Sequence, residues 1–177
     1  MSEKHIQTPL THDVIRTLHA GDEVRITGVI YTARDAAHKK LCELLDAGKP
    51  LPFDPEGQVI FYTGPTPAPP GRPIGSCGPT TSYRMDRYTP SLLDLGLGGM
   101  IGKGRRSREV IDSMQKNTAV YFSAEGGCGA LLANYVKTCE VVAFPELGTE
   151  AIHRLEVENF PVSVFCDCEG NIYSPYL

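Results

Sequence analysis

Strand signals and helix signals alternate along this chain, and that alternation constrains its fold more than any other feature. Residues 22–31 (DEVRITGVIY) are β-branched and alternate in polarity, so they read as a strand. The chain then enters TARDAAHKKLCELLDAGKP. There Thr32 and Asp35 have capping-box spacing, and Ala37, Leu41, Leu44 and Leu45 share one helical face. Gly48 and Pro50 stop that helix. Arg34 stands at its start, with His38 one turn later on the same side. Further strands are expected at 58–64 (QVIFYTG), 98–102 (GGMIG), 118–123 (TAVYFS) and 137–144 (KTCEVVAF). Helices are expected at 90–95 and 108–116, and a glycine turn opens a short one within GGCGALLANY (126–135). Residues 153–167 read as a closing pair of strands around Pro161. The expectation is a single mixed α/β domain over residues 1–177; the order of strands does not follow from the pattern.

One stretch breaks the alternation. Residues 65–78 hold five prolines and three glycines, too irregular for regular structure and too short for an interdomain linker. Such a loop inside a domain is often functional.

Bulk properties narrow the class. A chain of 177 residues buries a core without disulfides or metals. Its net charge of −4 argues against a nucleic-acid binder, which carries a basic excess. No run approaches the roughly 18 apolar residues of a membrane helix, and the first residues lack a signal-peptide core. These points predict a cytoplasmic protein with neither nucleic-acid nor membrane partners. Cys42, Cys77, Cys128, Cys139, Cys166 and Cys168 form no C-x-x-C pair and read as thiols in a reducing compartment. Cys166 and Cys168 would share one face if a strand continued through them.

The charge is unevenly placed. Between Thr81 and Arg108 there are six cations (Arg84, Arg87, Lys103, Arg105, Arg106, Arg108) and two acids (Asp86, Asp94), a balance of +4 against the global sign. That concentration suggests a site for a small anion. Arg105, Arg106 and Arg108 read more simply as a solvated helix start. Thr80, Thr81 and Ser82 put three hydroxyls and their amides at an expected helix start, which favours anions, and Arg84 follows within about one turn. Gly102 and Gly104 flank Lys103 and allow a close backbone approach or a positive φ. The glycines of GLGGMIGKG match neither a phosphate loop nor a dinucleotide fingerprint, because Leu97, Ile101 and Gly104 stand where those patterns demand other residues.

Three motifs in this order carry a resemblance: T-A-R-D-A-A-H (32–38), G-P-T-T-S-Y-R-M-D (78–86) and I-G-K-G-R-R-S (101–107). With G-G-C-G-A-L, F-P-E-L-G-T-E-A-I and V-E-N-F-P-V, the chain resembles the C-terminal domain of class I fumarases and the separate β subunits of two-subunit fumarases. The resemblance implies a swivelling β/β/α fold and reversible hydration of fumarate to (S)-malate. It also implies a four-iron, four-sulfur cluster held by a partner α subunit, with no metal ligand from this chain. By motif, Arg34, Arg84 and Lys103 match the family's substrate-binding cations, and Thr80 matches its candidate catalytic base. His38, Cys77 and Tyr83 lie inside or beside the motifs without an assigned role. Two rival readings share the fold: the β subunit of L(+)-tartrate dehydratase, and a non-catalytic domain that binds a dicarboxylate. An apolar face for the partner is expected, through which the chain could also self-associate.

Overall fold

Among the described residues, seven strands form one sheet whose middle closes on itself. The computed structural model describes residues 3–124 and 128–173. In chain order the elements are β1 (Lys4–Gln7), α1 (His12–Arg16), β2 (Glu23–Thr32), α2 (Asp35–Asp46) and β3 (Val59–Phe61), then α3 (Thr89–Leu93), β4 (Gly99–Gly102), α4 (Arg108–Asn117) and β5 (Val120–Ser123), then α5 (Gly129–Leu132), β6 (Val136–Ala143) and β7 (Ile152–Cys166). Strands β1 to β5 run parallel in the order β1-β2-β3-β4-β5. β7 is antiparallel to β5, to β6 and to most of the length of β2. The path β2-β3-β4-β5-β7 therefore returns to β2 and makes a barrel-like ring, with β1 and β6 beside it.

The central strands read as unbroken apolar runs because both of their faces are buried. Val59, Phe61, Ile101, Val120 and Phe122 point into one cluster with Ile26, Ile30, Val162 and Val164 from β2 and β7, which fills the ring. Their neighbours Ile60, Tyr62, Met100 and Tyr121 point the other way. There they pack against Ala37 and Leu41 of α2, Leu92 and Leu93 of α3, and Val110, Ile111 and Met114 of α4. The period-2 alternation of the strands thus feeds two cores.

Three local expectations are corrected. Thr32 does not cap α2. It is the last residue of β2, still paired with Phe61, so the strand register carries the chain past the cap position. Its buried hydroxyl accepts the His153 amide at 3.1 Å, and Arg34 takes the cap position without a side-chain capping bond. The closing pair of strands around Pro161 is one 15-residue strand. Glu158 and Asn159 together oppose Thr27, with Asn159 at φ 55° and Gly28 across the ladder at φ 124°. That bulge bends the strand and absorbs the disruption that a turn was expected to absorb. Cys166 and Cys168 do not share a face. The strand ends at Cys166, and the two thiols pack against different clusters across a turn stapled by Asp167, which accepts the amides of Ala20, Glu169 and Asn171. Finally, β1 and α1 carried no clear signal, because KHIQ is a peripheral strand with only Ile6 buried.

The proline- and glycine-rich loop holds no regular structure. It lies against β6 and β7, where Pro65, Pro67 and Ile74 line a cleft of about 390 Å³ with Cys139, Val141 and His153. Gly126 and Gly127 of the expected glycine turn lie outside the described residues. Among the described residues, no helix is long and apolar enough to cross a membrane.

Candidate active site

The carboxyl ends of β2, β3 and β4 lie side by side; Arg34 and Lys103 follow closely on β2 and β4, and the long loop after β3 returns to bring Thr80 and Arg84 there. Where open α/β sheets bind ligands, they do so at this end of the parallel strands. The last direct rung between the two central strands is Tyr62 N–H to the Ile101 carbonyl, at 2.8 Å. Beyond it the chain at Thr80 wedges in. Thr80 N–H donates to the Tyr62 carbonyl at 2.7 Å, Lys103 N–H to the Thr80 carbonyl at 3.3 Å, and Ser82 N–H to the Lys103 carbonyl at 2.9 Å. Thr81 and Lys103 form a parallel bridge. Thr80 and Lys103, 23 positions apart in sequence, are thus joined by backbone. Arg84 follows on a single 3-10 turn, Ser82–Met85.

These hydrogen bonds correct one expectation. The Thr80 and Ser82 amides do not form an anion-binding helix start, because both are spent on backbone carbonyls. Positive charge here comes from side chains instead. The side chains of Arg84 and Lys103 are exposed and have no ion-pair or hydrogen-bond partner among the described residues. Arg84 borders an open depression of about 850 Å³ with Tyr83, Arg87, Arg105 and Arg108; Arg34, Thr80 and Lys103 are not part of its wall. Tyr83 is 64% exposed.

Arg34 approaches from β2. Its side chain lies across Gly64, just past β3, where an added Cβ would stand 3.4 Å from its Cδ. Its Nε is buried without a hydrogen bond, 3.7 Å from Glu150 and 4.0 Å from Asp35. The two acids hold the guanidinium by charge and leave that donor uncommitted.

Arg106 overturns the solvated-helix reading. Its side chain is fully buried and donates from Nε to Asp86 at 2.7 Å and from Nη2 to Thr89 at 2.9 Å. It lies over the rings of Tyr62 and Tyr121, 5.1 and 4.9 Å from their centroids. Asp86 also accepts the Ser107 amide at 2.7 Å. Arg105 and Arg108 are exposed as expected, Arg108 pairing with Asp112 one turn on. Gly102 likewise differs from its expected role. Its φ is ordinary, and the space where a Cβ would go is filled by Ser82 rather than left open for a ligand; only Gly104 takes a positive φ, 84°.

The fumarase C-terminus family pattern matches residues 2–174. The chain belongs to that family. It is 48% identical over 149 residues to the class I anaerobic fumarate hydratase of Escherichia coli, a match covering 82% of this chain and 27% of that protein. It is 42% identical to fumarate hydratase 2 of Leishmania major, covering 89% of this chain and 28% of the relative. It thus spans little more than a quarter of the length of these two relatives. A putative L(+)-tartrate dehydratase β subunit of Methanocaldococcus jannaschii is 40% identical over 168 residues, covering 92% of this chain and 86% of that one.

In this fumarase C-terminal chain two of the six cysteines are poorly suited to an iron–sulfur cluster. Cys77 and Cys166 are buried, and burial pushes their thiols up to about 12 and about 11. Cluster binding needs thiolates, which such surroundings disfavour. Cys77 does lie near Cys128 and Cys139, which raise it further. Among the described residues, no three His, Cys, Asp or Glu side chains are arranged to hold a metal.

His38 is fully buried beside the site. Its Nδ1–H donates to the Arg34 carbonyl at 2.8 Å, so it braces the residue that carries a candidate cation. Its ring packs near Tyr62 and Tyr88, and its Nε2 has no partner. Burial, with the Arg106 charge adding and Asp35 opposing, lowers its pKa from 6.5 to about 4. The neutral ring is the folded form, so the unfolded chain binds more protons between these values, and stability falls as pH drops through that window. The full loss is on the order of 3 kcal/mol below pH 4, from about 1.4 kcal/mol per pKa unit. Urea titrations at pH 7, 5.5 and 4 should show His38→Gln losing much less stability on acidification than the parent. Equal losses would rule His38 out as the group responsible.

Proposed function

We propose that this chain is the β subunit of a two-subunit iron–sulfur fumarate hydratase, reversibly hydrating fumarate to (S)-malate in the cytoplasm with a cluster-bearing α subunit. In that setting its fold is read as the swivelling β/β/α arrangement. The observation that carries the reading is the backbone junction of Thr80–Ser82 with Lys103, which gathers Thr80, Arg84 and Lys103 at strand ends adjacent to Arg34. Match to 86% of a relative named as a β subunit supports the two-subunit arrangement.

A four-iron, four-sulfur cluster on the partner would supply a Lewis acid for the departing hydroxyl. The residues of this chain supply charge and a proton path. Fumarate and malate are dianions, and cations from three separate segments suit a small dicarboxylate, with each arginine able to grip a carboxylate through two N–H groups. Removing the proton beside a carboxylate builds extra negative charge on that carboxylate. Cations fixed around it stabilise the transition state more than the ground state. Thr80 is the proposed acceptor of that proton. A threonine hydroxyl is a very weak base at neutral pH, so the role requires activation. The Thr80 hydroxyl has no hydrogen-bond partner among the described residues. Thr80→Val keeps the shape and should lower turnover by at least about 100-fold while co-eluting with the partner in size-exclusion chromatography. Near-normal turnover would remove Thr80 from the proton path.

The tartrate reading has its own support in the Methanocaldococcus relative, whose length this chain nearly matches. An anaerobic assay of this chain alone, the α subunit alone and both together, with fumarate and tartrate as substrates, tests both readings. Hydration of fumarate by the mixture only is the expected result. Dehydration of tartrate instead would keep the site and change the substrate. Neither reaction with an intact cluster would refute the hydratase reading and leave the dicarboxylate-binding domain.

A further inference from the structure

Two buried cross-links tie the segment bearing Thr80 and Arg84 to the segment bearing Lys103. The first is a hydroxyl chain. The Tyr121 hydroxyl, at the centre of β5, donates to the Gly104 carbonyl at 2.7 Å and lies 2.8 Å from Ser82 Oγ. Its single proton goes to Gly104, so the Ser82 hydroxyl donates to the Tyr121 oxygen. The second is the Asp86 carboxylate, which accepts Arg106 with one oxygen and the Ser107 amide with the other. Tyr121 belongs to both, because its ring lies under the Arg106 guanidinium. Ser82 and Tyr121 are completely buried and Arg106 nearly so.

The two links bracket Arg84 and anchor the chain just after Lys103, which itself leaves the end of β4. Ser82 and Asp86 lie on either side of Arg84, and Lys103 is followed by Gly104 and, two residues further on, by Arg106. An exposed cation without a partner, on a loop free to move, samples many positions, and ordering it weakens binding. Both loops here are fastened to the floor of the sheet at each end. A buried ion pair is in itself weak evidence for stability, since an apolar replacement of equal volume is often as stable. Fixing a geometry is the best-attested use of such a pair.

We propose that Tyr121 and the Asp86–Arg106 pair are positioning residues that fix the spacing between Arg84 and Lys103, so that the site is preorganised for one dicarboxylate. The role rests on the reading above that these two cations hold the substrate.

Tyr121→Phe and Ser82→Ala each break the hydroxyl chain while keeping the packing. Hydrogen exchange on the full-length chain should show residues 80–86 and 102–107 exchanging together about tenfold faster in either variant, with the rest of the chain unchanged. In the complex with the α subunit, KM for fumarate should rise about tenfold, and the double variant should be no worse than either single one. Unchanged local exchange, or a drop in melting temperature with normal KM and kcat, would overturn the proposal. If the parent complex hydrates neither fumarate nor tartrate, the functional reading fails by itself, and the exchange measurement still decides whether Tyr121 holds the two segments together.

Discussion

Lys103→Met, assembled with the cluster-bearing subunit, should turn over fumarate at least about 100-fold more slowly than the parent, and Arg84→Met should match it. Both side chains are exposed and have no partner among the described residues, so removing them leaves no buried orphan and little stability is at stake. A loss of activity therefore reports on charge offered to the substrate. The magnitude follows from the role: one fixed group aimed at charge that develops in the transition state is worth about 3 kcal/mol. The loss should fall mainly on kcat, because the ground-state dianion is bound by several cations while the extra charge appears only as the proton leaves. Anaerobic steady-state kinetics on matched complexes is the measurement. Normal turnover in Lys103→Met would remove that lysine from the site, and a rise in KM alone would reduce its role to uniform binding.

Gly102→Ala should be strongly destabilising and should also disturb the site. An added Cβ there would stand 1.9 Å from Ser82 Oγ and 2.8 Å from Tyr62 Cδ2. Neither neighbour has room to retreat: Ser82 and Tyr62 are fully buried, and the Ser82 hydroxyl is committed to Tyr121. Overpacking and a broken buried hydrogen bond together cost about 3 kcal/mol, or roughly 10 °C in melting temperature for a chain of this size. The Thr80–Ser82 wedge would be pushed off Lys103, so activity in the complex should fall as well. Gly104→Ala is the control. An added Cβ there meets nothing within 4 Å, and only its φ of 84° opposes the side chain, at about 1 kcal/mol. Thermal melts of both variants give the order. If Gly104→Ala were the more damaging, backbone strain rather than contact between the two segments would govern this corner of the fold.

The candidate site was legible as a set of residues because they cluster in short motifs. Arg34, Thr80, Arg84 and Lys103 were singled out by residue type, local charge and resemblance, and the structure puts their segments at neighbouring strand ends. Arg106 was misread for a physical reason. It lies among Arg105, Ser107 and Arg108, a polar run, and its partner Asp86 comes from 20 residues earlier. No local pattern distinguishes the one buried arginine of such a run from its solvated neighbours. Tyr121 carried no signal at all. In TAVYFS it reads as another apolar strand residue, and only the arrival of Ser82 and Gly104 above it turns its hydroxyl into a link.

Periodicity located β2, α2, α4 and β5, because burial of one face leaves its mark within a single segment. The sequence by itself therefore determined the kinds of element, most of their positions and the candidate cations. It did not determine which segments pair. Backbone hydrogen bonds between distant strands carry no side-chain signature, so the wedge of Thr80 between β3 and β4 is a tertiary fact. So is the passage of β7 through Pro161, which pairs with Arg25 just beyond the bulge opposite Thr27. The closing of the ring through β7 was likewise decided only when the apolar faces of five strands met around one core.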